Sequence, residues 1–342
     1  MEVLVQPLDR VLQVQPGANL LEVLREHQIP ISYSCMSGRC GTCRCKLIEG
    51  EVLDSGQEMQ RPFDGEAQFV HACQTVLTQP CIIEIPEPDE VVVHPARIIK
   101  STVSCIEDLT HDIKRLRLRP AKPLSFSPGQ YASLQFAPDL IRPYSMAGLP
   151  TDDELEFHVR LVPNGRVTGH IAGVLREGDA VRVSGPLGSA HLRRKHEGPM
   201  LCVAGGTGLA PILSILRGAI EGGMDNPMHL YVGVRAARDI YGLDALHALQ
   251  ARHAGLHVHV VVSSGDTAIQ RSAAALTSDS ASITQRRGLV TEAIAQDWPS
   301  LDGWRAYLCG SPPMVEATSL LVKQRGLSAE RIYADAFYAS PT

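Results

Sequence analysis

Four of the nine cysteines lie within the eleven residues from 35 to 45, and two more follow at positions 73 and 81. The spacing C-x4-C-x2-C with one later cysteine is that of plant-type 2Fe–2S ligands, and it selects Cys35, Cys40, Cys43 and Cys73. Glycines at 38 and 41 permit the tight backbone wrap that such a loop needs. Loop amides that point at the sulfurs would tune the potential of the cluster.

Other metal and thiol chemistries fit these cysteines less well. A structural zinc site prefers C-x2-C pairs, and only Cys40 and Cys43 form one. Cys45 would also serve in place of Cys43, and Cys81 in place of Cys73; otherwise both are buried core thiols. A disulfide framework is the least favoured reading, because the cysteines are clustered, their number is odd and no secretory signal precedes them.

Residues 142–145, Arg-Pro-Tyr-Ser, bring three useful side chains together after a predicted strand. The fork of Arg142 suits a pyrophosphate, and the Tyr144 ring can lie along an aromatic surface. The hydroxyl of Ser145 can hydrogen-bond a ring nitrogen. The alternative is that these four residues are the start of a strand that carries an ordinary surface arginine.

Two glycine turns precede predicted helices. Residues 165–168, Gly-Arg-Val-Thr, open a helix predicted over 168–175, where a helix N-terminus suits phosphate; a plain helix cap is the commoner explanation. Residues 205–211, Gly-Gly-Thr-Gly-Leu-Ala-Pro, lie between a buried strand and a helix, which favours a pyrophosphate site. Pro211 stands where the ordinary dinucleotide fingerprint has its last glycine, so a tight turn is the alternative.

Two late segments follow predicted strands of the third region. Residues 309–314, Cys-Gly-Ser-Pro-Pro-Met, come at a strand's carboxyl end, where open α/β sheets bind ligands. A buried strand thiol explains Cys309 taken alone. After the last strand, Asp335 is followed by Phe337 and Tyr338, and a terminal aromatic there would cover a bound ring or pack on a core.

The 342 residues divide into three regions with different periodicities. Residues 1–88 show short strands, a helix that Asn19 caps, and the cysteine loop, which is an α+β pattern. A proline- and acid-rich linker follows. Residues 96–196 show short alternating stretches with turn signals, which predict an antiparallel barrel or sandwich. Residues 197–342 alternate apolar strands with helices, which predicts a parallel sheet.

Composition excludes several classes of protein. The net charge of −5 and the pI of about 6.2 give no sign of nucleic-acid binding. The most apolar stretch, 201–216, is too short for a membrane helix, and the N-terminus lacks the pattern of a signal peptide. We therefore expect a cytoplasmic protein without nucleic-acid or membrane partners.

The order of the motifs is far more specific than any one of them. The cysteine pattern, then Arg-Pro-Tyr-Ser, then Gly-Gly-Thr-Gly-Leu-Ala-Pro, then Cys-Gly-Ser-Pro-Pro-Met resembles the ferredoxin–NAD(P)H reductase superfamily with an N-terminal plant-type ferredoxin domain. Residues 34–45, 142–148 and 333–338 look most like the reductases of naphthalene- and nitrotoluene-type ring-hydroxylating dioxygenases. The resemblance covers the whole chain. It implies a β-grasp 2Fe–2S domain, an antiparallel β-barrel FAD domain and an α/β NAD(P) domain.

The resemblance also implies roles for individual residues. Arg142 would meet the FAD pyrophosphate, Tyr144 would face the isoalloxazine, and Ser145 would lie near its N5. Asp335 stands where many relatives have glutamate, and Ser311 departs from their Cys-Gly-Pro-Pro. The catalytic candidates are Ser145, Cys309 and Asp335. The remaining cofactor-binding candidates are Gly165, Val167, Thr168, Gly206, Thr207, Gly208, Arg235, Gly310 and Phe337.

The implied reaction carries a hydride from NAD(P)H to FAD and single electrons through the cluster to a Rieske-type ferredoxin. Arg235 and Arg238 follow the second strand of the third region and could meet a 2′-phosphate; we expect NADH as donor and leave NADPH open. The same machinery would also feed an oxygenase component or monooxygenase directly. Two other hypotheses are a non-enzymatic electron carrier and a zinc-containing oxidoreductase.

Overall fold

The computed structural model describes residues 1–31, 33, 43–55, 59–62, 68–86, 94, 96–264 and 283–338. The predicted ligands Cys35 and Cys40 therefore lie outside the described residues. The chain forms two compact units, residues 1–97 with 185–189 and residues 98–184 with 190–342. The second unit contains both an antiparallel sheet and a parallel sheet, so the protein has the predicted three-domain architecture.

The first unit is an α+β domain. One sheet has the order β2-β1-β8-β3-β6 and a smaller sheet the order β5-β4-β7. Helix α1, Leu20–Glu26, begins where Asn19 Oδ1 accepts a hydrogen bond from the Glu22 amide at 3.2 Å, which confirms the predicted cap. Its apolar face is fully buried. The strands are β1 Glu2–Gln6, β2 Arg10–Gln13, β3 Arg44–Glu49, β4 Glu51–Asp54, β5 Met59–Pro62, β6 Gln68–His71, β7 Thr75–Leu77 and β8 Cys81–Glu84, with a 3₁₀ turn at Ala72–Gln74.

The antiparallel sheet of the second unit closes into a near-barrel. Its order is β12-β11-β14-β9-β10-β13, and Met146, just after β12, forms a bridge with Phe157 of β13 that joins the two edges. The alternating burial along these strands fills one apolar core. The strands are β9 Arg97–Asp108, β10 Ile113–Pro120, β11 Tyr131–Ala137, β12 Leu140–Ser145, β13 Leu155–Arg160 and β14 Ala180–Leu187.

Helix α2 spans Arg166–Gly173 rather than the predicted 168–175. Asn164 has a left-handed φ of 59°, and Gly165 then takes the extended conformation of an N-cap residue. The turn therefore ends two residues earlier than the prediction. Glycines at 169 and 173 weaken the helix, which ends at the second of them.

The parallel sheet has the order β18-β17-β16-β15-β19-β20. Apolar clusters cover both of its faces, one under α3 and α4 and the other under α5 and α6. Its strands are β15 Met200–Gly205, β16 Met228–Val234, β17 Leu256–Val262, β18 Thr284–Arg287, β19 Arg305–Gly310 and β20 Ile332–Ala336. The helices are α3 Leu209–Glu221, α4 Leu243–Arg252, α5 Val290–Asp297 and α6 Pro312–Gln324, with 3₁₀ turns at Gly206–Gly208, Ala237–Asp239 and Ala329–Arg331. Within the described ranges, no helix combines the length and apolar character required to cross a membrane.

The strand order reverses between β15 and β19, so a crevice opens beyond their carboxyl ends. The chain segments that leave these two strands pack backbone against backbone. A Cβ atom on Gly208 would collide with the carbonyl oxygen of Cys309, and one on Gly310 would lie 2.9 Å from the carbonyl oxygen of Gly205. Gly310 also has a φ of 143°. Glycine is therefore required at both positions.

We predict that Gly208→Ala lowers the free energy of unfolding by about 2–3 kcal/mol, because backbone atoms must move apart. Gly169→Ala is the matched control, since that helical glycine has no atom within 4 Å of an added Cβ. It should raise the free energy of unfolding by about 0.5–1 kcal/mol. Urea denaturation of the purified proteins measures both changes, and equal stability of Gly208→Ala and wild type would contradict the packing argument.

Candidate functional site

A cavity of about 1500 Å³ opens between the near-barrel and the parallel sheet of the second unit. This is larger than the roughly 300–1,000 Å³ of a site for one drug-sized ligand. Its walls come from β11 to β13, from the start of α2, and from the carboxyl ends of β15, β16 and β17. The cavity therefore has room for more than one extended ligand at the switch point of the sheet.

Most of the predicted cofactor residues line this cavity, although their positions range from 142 to 337 in the sequence. They are Arg142, Tyr144, Ser145, Gly165, Val167, Thr168, Gly206, Thr207, Arg235, Asp335 and Phe337. Three other predicted residues are buried and do not line the cavity, and they are Gly208, Cys309 and Gly310. Arg238 also lies outside the lining.

Strand β12 carries the Arg-Pro-Tyr-Ser motif along the cavity. It pairs antiparallel with β11, with Arg142 opposite Leu134 and Ser145 opposite Tyr131. Burial raises the pKa of Tyr144 to about 12, although the Arg142 charge opposes the shift. Tyr144 therefore presents a neutral ring beside an exposed guanidinium, which suits a flat aromatic ligand that carries phosphate.

A hydrogen bond joins the near-barrel to the last strand of the parallel sheet across this cavity. The hydroxyl of Ser145 donates to Asp335 Oδ2 at 3.0 Å. Burial raises the pKa of Asp335 to about 6, and the Ser145 hydrogen bond opposes that shift. The pair therefore holds a carboxyl group whose protonation changes near neutral pH.

The turn before α2 is held together by a threonine. Thr168 Oγ1 accepts from the Val162 amide at 3.2 Å and lies 3.3 Å from the Val162 carbonyl oxygen. Its hydroxyl is thus committed to the turn, and the first-turn amides of α2 are the groups left for a phosphate.

The turn after β15 is shaped for close approach of a ligand. Gly206 has a φ of 56°, and an added Cβ would lie 3.0 Å from Arg160 Nη1. Arg160 also lines the cavity and donates from Nε to Asp112 Oδ2 at 3.0 Å. Sequence reasoning missed Arg160, whose only signal is its place at the end of a strand before a turn.

Cys309 lies in β19 with its side chain fully buried in the core beside Cys202. Burial, with the Asp335 charge as a smaller contribution, raises the pKa of the Cys309 thiol far above its usual value. The thiol is therefore neutral. Gly208 packs closely on the Cys309 carbonyl oxygen, and this contact brings the turn after β15 next to the turn after β19.

The first unit brings Cys43 and Cys73 together across 30 positions of sequence. The Cys73 amide donates to Cys43 Sγ at 3.5 Å, and both residues are buried. A hydrogen bond with the Cys73 thiol and burial both raise the pKa of Cys43. A metal ion would be needed to hold these sulfurs as thiolates, and the amide donor on sulfur fits an iron–sulfur centre.

The two surplus cysteines lie in the core of the first unit. Cys45 is buried in β3, and its thiol contacts the Cys43 carbonyl oxygen at 3.5 Å. Cys81 is buried in β8, where it pairs with Val3 of β1. Burial raises the pKa of Cys45 to about 12 and that of Cys81 to about 11. Both environments fit inert core thiols.

Sequence models of three families match the chain in the order that the motifs predict. Residues 3–78 match a 2Fe-2S iron-sulfur cluster binding domain. Residues 100–192 match an oxidoreductase FAD-binding domain, and residues 202–320 an oxidoreductase NAD-binding domain. The cavity thus lies between the FAD-binding and NAD-binding domains, and its size and glycine turns fit both dinucleotides.

Known proteins resemble the chain over its whole length. It is 57% identical over 99% of both chains to the ferredoxin–NAD(P)(+) reductase component of the naphthalene 1,2-dioxygenase/salicylate 5-hydroxylase systems of Ralstonia sp.. It is 56% identical, again over 99% of both, to the naphthalene 1,2-dioxygenase system reductase component of Pseudomonas putida. The crystal structure of an Amycolatopsis cytochrome P450 reductase matches with a TM-score of 0.69 at 33% identity, over 98% of both chains. The chain therefore belongs to the family of ferredoxin–NAD(P)+ reductases in which a 2Fe–2S domain precedes FAD-binding and NAD-binding domains, as its motif order predicts.

Proposed function

We propose that this oxidoreductase is the reductase component of a multicomponent aromatic ring-hydroxylating dioxygenase. It passes electrons from NAD(P)H through FAD and a 2Fe–2S cluster to a Rieske-type ferredoxin. The observation that carries this proposal is the 56–57% identity, over the full length, to components named for naphthalene dioxygenase systems. The cavity between the two dinucleotide-binding domains supports it.

Each domain has one part in this electron transfer. The proposed limits are residues 1–88 for the 2Fe–2S domain, 96–196 for the FAD-binding domain and 197–342 for the NAD(P)-binding domain. Bound FAD would supply the conversion of a two-electron hydride into single electrons, which a one-electron cluster requires. The protein's own part is to hold the dinucleotides in one cavity, orient them and exclude water. We also propose a cytoplasmic location, because the clustered cysteines have the spacing of cluster ligands rather than of a disulfide framework.

The residue roles that we propose follow from the cavity lining and, for Gly208, Cys309 and Gly310, from the motif order in the sequence. Arg142 binds the FAD pyrophosphate, Tyr144 packs along the isoalloxazine, and Ser145 lies beside N5, oriented by Asp335. Phe337 covers the ring, and the segment Gly165, Val167 and Thr168 binds phosphate through the start of α2. The turn of Gly206, Thr207 and Gly208 binds the nicotinamide dinucleotide, with Cys309 and Gly310 close to the nicotinamide. The cluster ligands are Cys35, Cys40, Cys43 and Cys73.

The cluster proposal predicts different outcomes for two buried cysteines. Cys73→Ser should lose iron and sulfide, because one of four ligands is gone. NADH-driven reduction of a small dye should survive, since the dye takes electrons from the flavin. Reduction of a purified Rieske-type ferredoxin should fall at least about a hundredfold. Iron analysis and both assays at one protein concentration measure these effects.

Cys81→Ser is the matched control, as it removes a buried thiol from the same domain and should keep iron and both activities. Retained iron in Cys73→Ser, with loss in Cys81→Ser, would show that the ligand assignment is wrong. Wild type that reduces an oxygenase but no ferredoxin would contradict the proposed acceptor.

The raised pKa of Asp335 predicts a pH-dependent stability. A carboxyl group with a folded-state pKa of about 6, against 3.8 ordinarily, binds its proton more tightly in the folded protein. The stability from that proton is complete below pH 3.8 and is lost as the pH rises through about 6. Loss of this proton should contribute about 1 kcal/mol to the fall in the free energy of unfolding between pH 5.5 and pH 8, and Asp335→Asn should abolish that contribution.

Urea denaturation at the two pH values measures the effect. Asp225→Asn, which changes an exposed aspartate, is the control and should keep the wild-type profile. Parallel profiles for wild type and Asp335→Asn would rule out the raised pKa.

The position of Arg235 predicts how strongly the protein binds NADPH, which carries a 2′-phosphate, compared with NADH. It lines the cavity, whereas Arg238 lies outside the lining. Arg235→Ala should raise KM for NADPH about tenfold more than KM for NADH, because a charged hydrogen bond to phosphate is lost. Arg238→Ala should change neither. Steady-state dye reduction with both donors tests this, and an equal effect on the two donors would exclude Arg235 from a 2′-phosphate site.

A further inference from the structure

Two side chains of α3 bind the near-barrel, and we call Ser214 and Arg217 the α3 anchor. They are three residues apart and therefore lie on the same side of the helix. Ser214 is fully buried. Its hydroxyl donates to the Gly148 carbonyl oxygen at 2.6 Å and accepts from the Gly129 amide at 3.3 Å. The single hydroxyl proton of Ser214 is thus committed to the near-barrel.

The two peptides that Ser214 binds bracket the hairpin of β11 and β12. Gly129 comes two residues before β11, and Gly148 comes three residues after β12. At this end of the hairpin Tyr131 and Ser145 are register partners, and both line the cavity. One buried hydroxyl therefore ties both strands of the flavin-facing hairpin to α3.

Arg217 adds a charged contact to the loop that follows β12. Its Nη1 donates to Asp152 Oδ2 and its Nη2 to Asp152 Oδ1, each at 2.8 Å. Asp152 Oδ2 also accepts from the Leu149 amide at 2.8 Å. The hydrogen bonds with Asp152 raise the pKa of Arg217, although burial opposes the shift. A two-pronged contact of this kind fixes the orientation of the loop as well as its distance from the helix.

The backbone of α3 packs closely on the near-barrel beside the anchor. A Cβ atom on Gly218 would lie 2.5 Å from Pro128 Cγ. The carbonyl oxygen of Pro128 accepts from the Leu192 amide at 2.9 Å, which holds that residue in place. This packing leaves little room for α3 to shift along the near-barrel, so the anchor acts at a rigid joint.

The anchor is close to the ligand-binding parts in sequence but does not belong to them. Neither Ser214 nor Arg217 lines the cavity. Helix α3 begins at Leu209, directly after the turn at Gly206–Gly208, so Ser214 is little more than one helical turn from its start. The anchor therefore sets the distance between this turn and the flavin-facing end of β12, without contacting a ligand itself.

We propose that Ser214 and Arg217 are positioning residues for hydride transfer. They hold the hairpin that faces the flavin at a fixed distance from the turn that binds the nicotinamide dinucleotide. Transfer between two bound groups depends steeply on their separation and orientation. Loss of the anchor therefore slows transfer while binding of the dinucleotide is kept. This inference rests on the proposed function of the cavity.

The test mixes the flavin- and cluster-loaded protein with NADH without oxygen and follows the flavin absorbance. Arg217→Met and Ser214→Ala should each lower the limiting rate of flavin reduction at saturating NADH about five- to tenfold. The NADH concentration at half-saturation should change less than about twofold, because the anchor lies outside the cavity. A merely structural contact would lower the melting temperature and leave the limiting rate unchanged.

Arg286→Met is the matched control. Arg286 Nη1 contacts both oxygens of Asp297 at 2.7 Å, and this pair joins β18 to α5 within the parallel-sheet domain. Its side chain is 28% exposed, against 31% for Arg217, and it does not line the cavity. The control loses an ion pair of similar exposure and should keep the wild-type limiting rate.

Hydrogen exchange gives a second readout that needs no reaction. In the oxidised, FAD-loaded Arg217→Met and Ser214→Ala proteins, the backbone amides of residues 146–152 should exchange at least about threefold faster than in wild type. Arg286→Met should leave their exchange unchanged. Mass spectrometry of the peptides that cover this loop measures the rates.

A wild-type limiting rate in either anchor variant overturns the proposal, and so does an Arg286→Met protein that is slowed as much. Where one anchor variant fails to retain FAD, the other decides. Failure of the proposed function looks different. NADH would then reduce the flavin of no protein, wild type included, whereas the difference in hydrogen exchange would remain.

Discussion

The structure of the second unit depends on one backbone contact, the approach of the chain leaving β15 to the chain leaving β19. Gly208 lies against the Cys309 carbonyl, and Gly310 lies against Gly205. This contact brings the turn at Gly206–Gly208, the Cys-Gly-Ser segment and strand β20 to one edge of the sheet. A side chain at either glycine would separate these parts, so the cavity exists because two backbones can touch.

Local patterns in the sequence predicted the architecture well. The hydrophobic periodicity differs between the three regions, and this difference predicted where strands follow one another and where helices lie between them. The prediction worked because each periodicity marks the face of an element that must be buried. Asn19 and Glu22 marked the start of α1 correctly, since a cap is a contact over three residues. The cysteine spacing likewise singled out Cys43 and Cys73, which lie side by side, whereas the placement of Cys35 and Cys40 falls outside the described residues.

Contacts between distant residues were beyond the sequence. Arg160 and His158 look like ordinary strand residues, and only the folded chain brings Arg160 to the turn at Gly206 and His158 to the Tyr241 hydroxyl. Cys309 was selected for its place after a strand, yet the alternation of β19 turns its thiol into the core. The boundary of α2 was wrong by two residues because Thr168 is as good an N-cap residue as Gly165, and the helix begins after Gly165.

The contact between Ser145 and Asp335 joins two residues that are 190 positions apart. A ribosome makes the near-barrel long before it makes β20. The cleft that we assign to the flavin therefore has only one wall while the nascent chain emerges. Its second wall forms only when the parallel sheet has folded as far as β20, so the two-walled cleft is available to a flavin only after that strand has been made.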